Sequence, residues 1–159
     1  MSQAHPPSGE KEFILPPGTV FDPKRFSRAM NRRGHGGFLG IDYHDHGDNW
    51  LELQLPWRED LVGNPDTGVL ASGPIVSLLD NVTSMSVWTL RKAFQPQVTL
   101  DLRIDYMRAA TPGKTVVARG ECYQMRRNVA FVRGLAHDGD PADPVAHAVG
   151  TFMLVEGPA

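Results

Sequence analysis

One segment limits the fold of this 159-residue chain more than any other: Gly73 to Phe94, its long stretch of helical periodicity. Gly73-Pro74 makes a good helix entry and FQPQ a good exit, so a helix is expected from Pro74 to about Phe94. Ile75, Leu78, Leu79, Val82 and Met85 share one broad apolar face. Upstream, FLGIDYH and NWLELQL flank the polar turn DHGD and read as a hairpin, with Leu51, Leu53 and Leu55 alternating against Glu52 and Gln54. Downstream come four strand patterns, VTLDLRIDYM, TVVARGECYQM, NVAFVRGLAHD and VAHAVGTFMLV, separated by TPGK, RRN and DGDPADP. In the first of these, Val98, Leu100, Leu102, Ile104 and Tyr106 are expected on one face and Thr99, Asp101, Arg103 and Asp105 on the other. Short connections imply antiparallel neighbours. A hairpin, one helix and four strands share a core only if a curved antiparallel sheet wraps the helix. The expected class is therefore α+β, with that helix at the centre.

The helix contains a carboxylate. Charged carboxylates are seldom buried unless something pairs with them or uses them. Asp80 is not scattered among the core positions, since Ser77, Asp80, Thr83 and Ser84 form a separate small, polar stripe. Something other than the core must contact that stripe: water in a pocket, a ligand or a partner subunit. The structural alternative is that Asp80 faces solvent or pairs with a buried cation such as Arg103. The free backbone N–H groups where the helix starts, around Gly73, present about half a positive charge to an incoming oxygen.

The rest of the chain narrows the function classes. Hydrophobic content of 41% with 21% charged residues is that of a globular protein, and a net charge of −2 argues against nucleic acid as a partner. The single cysteine, Cys122, excludes an internal disulfide, fits a reducing compartment and reads as a core filler. No apolar run approaches the roughly 20 residues that cross a bilayer. The start MSQAHPPSGEKE lacks a signal-peptide pattern, so a cytoplasmic protein without membrane partners is expected. Two Pro-Pro pairs make Met1 to about Phe21 a tail or a surface-wrapping extension. DPKRFSRAMNRRG then predicts a helix with Asp22 as N-cap, Pro23 at the first helical position, Phe26 and Met30 four apart, and Gly34 as the stop. Its other face carries Lys24, Arg25, Arg28, Arg32 and Arg33, read as solvated, with anion contact as the alternative. The division is an N-terminal extension with a basic helix over 1–36 and one domain over 37–159.

The stretches NPDTGVLASGPIVSLLDNVTSMSVW and QVTLDLRIDYMRAATPGKTVVARGECYQMRRNVAFVRG resemble the hotdog-fold acyl-CoA thioesterases of the phenylacetate type. The similarity runs from about Gly37 to Leu154. The family pattern is an Asn, a Gly, then His-Gly-Gly, with an Asp or Glu nine residues after the His. Asn64 and Gly68 fit, Gly73 is the third motif position, and Asp80 is the acid. Ala71 stands where the family has His, and Ser72 where it has the first Gly. The HGG at His35 to Gly37 lies before the first strand with no helix expected after it, so it is not read as that motif. Thr99 occupies the place of a hydroxyl that assists the attacking water in related members.

The resemblance implies hydrolysis of an acyl-CoA to free acid and CoA. Asp80 would act as general base on water, or as nucleophile giving a mixed anhydride. The Gly73 N–H would polarise the carbonyl, and Asn64 and Thr99 would hold the water. Ser72 and Ser77 would contact substrate, and Arg126 and Arg127 in the QMRRN turn would meet the phosphates of coenzyme A, with solvated turn residues as the alternative for the two arginines. No cofactor or metal is called for. The resemblance also implies a homodimer at minimum and a tetramer as the fuller assembly, with sites between subunits. Ala71 keeps a second class alive, a non-catalytic acyl-CoA-binding or regulatory domain of the same fold. A dehydratase needs a histidine beside its carboxylate, and none lies between His46 and His137. The cluster YHDHGDN reads as turn chemistry rather than as metal ligands. Ser72 and Ser77 lack the elbow of a serine hydrolase.

Overall fold

The computed structural model describes residues 15–30 and 33–156. Most of the Met1–Phe21 segment and Arg32 lie outside the described residues, and so does the side chain of Met30.

A six-stranded antiparallel sheet wraps one long helix, in the hotdog arrangement. The helices are α1 (Pro23–Met30), α2 (Gly34–Leu39) and α3 (Ser72–Arg91). The sheet strands are β1 (Asp42–His46), β2 (Trp50–Leu55), β5 (Gln97–Tyr106), β6 (Val116–Arg126), β7 (Val129–His137) and β8 (Ala146–Leu154), in spatial order β1-β2-β6-β7-β8-β5. A small hairpin of β3 (Val62–Asn64) and β4 (Val69–Leu70) precedes α3. The expected core face of α3 is the observed one, since Ile75, Leu78, Leu79, Val82 and Met85 are all buried. Leu51, Leu53 and Leu55 meet it from β2. Cys122 is buried as a filler, and burial pushes its thiol up to about 11.

Two glycines set how closely the helix lies on the sheet. A Cβ on Gly120 of β6 would come 2.5 Å from the Val82 carbonyl oxygen, and one on Gly134 of β7 would come 3.0 Å from Thr83 Cγ2. Thr83 is therefore a buried contact under the sheet, its hydroxyl donating to Leu79 O at 2.7 Å, and does not belong to the polar stripe.

Three local features differ from expectation. Helix α3 starts two residues earlier, which makes Pro74 its third residue, and ends at Lys92 with a left-handed φ of 56° instead of running to Phe94. A bulge between Thr99 and Asp101 breaks the alternation of β5. Residues of odd number face α3 before the bulge and residues of even number after it, so Thr99 joins Leu102 and Ile104 on the helix side while Val98 and Leu100 are exposed. Third, Gly34 begins a second helix, and Phe38 and Leu39 belong to it rather than to a strand. Gly40, at φ 73°, ends that helix with its N–H on Gly37 O.

The segment before β1 is bound to the core. The Asp22 carboxylate caps α1 by accepting from the Arg25 N–H at 2.9 Å, as its position predicts. Phe21 and Leu39 are buried, and Phe21 and Phe26 pack on Trp88 near the end of α3. A pair the sequence did not announce holds the turn after β5: Arg108 donates two bonds to the buried Asp138 carboxylate, which also accepts from the Thr111 N–H.

Candidate active site

Asp80 is half-buried on the stripe of α3 that faces β5. Thr99 Oγ1 donates to its Oδ1 at 3.3 Å. Burial raises the carboxyl's pKa above the ordinary range, and the Thr99 bond works against that rise. Among the described residues no cation pairs with Asp80, and Arg103 binds Asp105 instead at 2.9 Å. The structural alternative for this aspartate therefore loses its partner.

Strand β5 tracks the stripe from end to end. Gln97 Nε2 donates to Ser84 O at 2.7 Å, Thr99 reaches Asp80, and the Tyr106 hydroxyl donates to Ser72 O at 3.1 Å. The bulge at Leu100 makes this possible, because without it Thr99 and Tyr106 would project from opposite faces.

The start of α3 is open. Its N-cap is Ala71, which has no side chain to cap with, and the Ala71 N–H is spent on Leu61 O at 2.9 Å. Pro74 has no N–H. That leaves the exposed Ser72 and Gly73 as the first-turn donors with no intrahelical acceptor. A cleft of about 360 Å³ opens there, bordered by Ala71, Gly73, Pro74 and Ser77 from α3 and its entry and by His35 and Phe38 from α2. His35 Nε2 lies 3.0 Å from Ser77 Oγ. The HGG set aside in the sequence thus sits inside a helix, with its histidine on α3. An absence of histidine between His46 and His137 does not keep one from the site, because tertiary packing supplies His35. A smaller apolar cavity of about 70 Å³ lies between α1 and α3, with Phe26, Leu53, Met85 and Trp88 as walls and Ser84, one turn past Asp80, at its border.

The remaining candidates are dispersed. Asn64 sits at the turn between β3 and β4, where its Oδ1 accepts from the Asp66 N–H at 3.1 Å and its carbonyl from Thr67 and Gly68. No hydrogen bond joins it to Asp80 or Thr99. Arg126 and Arg127 are exposed at the β6–β7 turn, Arg127 at φ 53°. Their neighbour Met125 contacts Arg91, so they lie at the opposite end of α3 from Gly73. Among the described residues no group of three or more His, Cys, Asp or Glu side chains is arranged to hold a metal, and no helix is long and apolar enough to cross a membrane.

Comparison with known proteins gives this geometry a family. The model of the thioesterase superfamily matches residues 67–145, from the turn between β3 and β4 to the residue before β8. A solved protein from Pseudomonas aeruginosa is 39% identical with a TM-score of 0.73, over 84% of this chain and 96% of that one. A phenylacetic acid degradation-related protein from Ralstonia eutropha is 27% identical with a TM-score of 0.63, over 74% and 87% of the two chains. A thioesterase from Haemophilus influenzae shares the fold at a TM-score of 0.74, with 18% identity over 87% and 94%. Among curated proteins none matches. The chain belongs to the thioesterase superfamily, the hotdog-fold hydrolases of thioesters.

Proposed function

We propose that the protein hydrolyses acyl-CoA thioesters at sites shared between two copies of the chain. The carrying observation is a half-buried carboxylate, Asp80, that has a hydroxyl neighbour, Thr99, and no cation. Such a group is a poor structural element and a good base, since burial raises its proton affinity and leaves an oxygen free for water. Thr99 holds that water or the carboxylate's orientation. The Gly73 N–H, at the uncapped start of α3, is the donor for the thioester carbonyl.

The distance along the helix supports the sharing. Gly73 and Asp80 are two turns apart, about 10 Å of axial rise at 1.5 Å per residue. One thioester carbon must lie near 3 Å from both an attacking water and, through its oxygen, a donor. The first-turn N–H groups also point out of the helix start, along the axis and away from Asp80, which favours a carboxylate supplied by another chain. Two antiparallel copies bring the Gly73 end of one beside Asp80 of the other. Strand β5 is the edge suited to the contact: ten residues long and, among the described residues, unpaired on one side, it exposes Val98 and Leu100. The opposite edge, β1, is a short polar strand with a bulge. In this reading Ser72 and Ser77 border the substrate, and Arg126 and Arg127 meet the phosphates of a CoA that extends along the assembly. The acyl group enters the apolar cavity between Phe26 and Trp88.

The test is a panel of acyl-CoAs with a thiol reagent, run beside sedimentation. Release of CoA by a dimer or tetramer is expected. Saturable binding without release would assign the chain to the binding class, and a stable monomer at micromolar concentration would remove the shared site.

A further inference from the structure

We infer that His35 is a substrate-contacting residue of the thioester site, delivered by α2 to the place beside the start of α3 that Ala71 leaves empty. This rests on the hydrolytic reading and adds a donor to it.

The helix that carries the exposed ring is anchored. Leu39 of α2 is 2% exposed, the Phe38 carbonyl accepts from Arg58 Nη1 at 2.8 Å, and Gly40 ends the helix in a left-handed conformation. A six-residue helix pinned at its C-terminal end holds His35 on its first turn against Ser77. The contact is tertiary, between residues 42 positions apart.

The contact with Ser77 occupies Nε2 and leaves Nδ1 as the nitrogen for a ligand. The Ser77 hydroxyl has no other partner among the described residues; the Asn81 amide binds the Ser77 carbonyl instead. In the tautomer in which the Ser77 hydroxyl donates to His35 Nε2, the imidazole carries its proton on Nδ1, and that is the form the proposal uses. Nδ1 has no partner among the described residues. The ring borders the same cleft as Gly73, and Ser77 is one turn, about 6 Å, further along the helix. An oxygen bonded to the Gly73 N–H is thus within reach of a second donor from His35. A carbonyl that gains negative charge as water adds is the group two such donors suit.

Steady-state kinetics and thermal melting on three variants test this. His35→Ala should lower kcat/KM about tenfold or more, mainly through kcat, because a donor to developing charge has gone. His35→Asn places an amide nitrogen near the position of Nδ1 and should recover most of the loss. His35→Gln reaches Ser77 instead and should not. Wild-type kcat/KM in His35→Ala overturns the proposal, as does an equal loss in all three variants that tracks their melting points, which is the behaviour of a packing residue. If the wild type releases no CoA and Asp80→Asn behaves identically, hydrolysis itself fails. His35 is then read from acyl-CoA affinity, where about a tenfold weaker Kd in His35→Ala upholds the contact and an unchanged Kd overturns it. A wild type that binds no acyl-CoA overturns both.

Discussion

Replacing Asp80 by Asn separates a catalytic carboxylate from a structural one. The substitution keeps the shape, and Thr99 Oγ1 retains an acceptor at the place of Oδ1. What disappears is the basic oxygen pair. Loss of general-base assistance costs about 10² to 10⁴ in rate, or about 3–5 kcal/mol of transition-state stabilisation. Stability should move the other way. The folded-state pKa of Asp80 is raised by burial, so the folded protein disfavours the ionised form. That cost is absent below the unfolded value of about 3.9 and is present in full above the folded pKa. At pH 7 the Asn variant should therefore melt at the wild-type temperature or above it, and the difference should vanish in acid. A buried ion pair broken by the same change would cost about 3–5 kcal/mol, but no cation stands beside Asp80 to be orphaned. The assays are CoA release under saturating substrate and melting curves at neutral and acid pH. Activity within tenfold of wild type, or a melting point several degrees lower at pH 7, would refute the reasoning.

Three further outcomes follow from the same geometry. In the pH profile of kcat/KM, the acid limb should lie above the ordinary aspartate value of about 3.9, and Thr99→Val should move it higher still by removing the bond that holds the pKa down; a downward shift contradicts the assignment. Ala71→Ser should raise the melting point by about 2–4 °C by supplying the missing N-cap. Because Pro74 offers no N–H, the new hydroxyl must bind the Gly73 N–H and activity should fall; a stabler variant with full activity removes Gly73 from the site. Co-refolding inactive Asp80→Asn with Gly73→Pro, which lacks the donor, should restore about a quarter of wild-type activity, since half the dimers are hybrids with one intact site. No restoration would place both groups in one chain's site.

The sequence made α3, its core face and Asp80 legible because helical periodicity and a lone carboxylate are local signals. Thr99 was legible only through resemblance. Strict alternation put it on the wrong face, since a bulge at Leu100 depends on how β8 pairs and leaves no mark in β5 itself. Helix α2 was missed because GHGGFL is poor in helix formers; its signal was Gly40 directly after two apolar residues. Chain position alone speaks against His35, and a contact across 42 residues has no periodicity to betray it. Arg108 and Asp138 were invisible for the same reason: each looks like a solvated turn residue until the fold brings them together.

The separation of Gly73 from Asp80 also resolves a conflict in what the chemistry needs. The thioester oxygen wants positive potential, which the first turn of a helix supplies. The base wants the opposite. A carboxylate in that first turn would accept the free N–H groups, become a capping residue and lose basicity as its pKa fell. Set two turns further in, Asp80 escapes the dipole, which fades within the first turn, and keeps the raised pKa that burial gives it. Only its Thr99 contact opposes that rise, and a single neutral hydroxyl opposes it weakly. In the proposed pair the two requirements are reunited at one substrate, the helix start of one copy meeting the carboxylate of the other. In that proposal a monomer would hold both groups but direct them to different places. The length of α3 before Asp80 is therefore as much a part of the proposed mechanism as the aspartate itself.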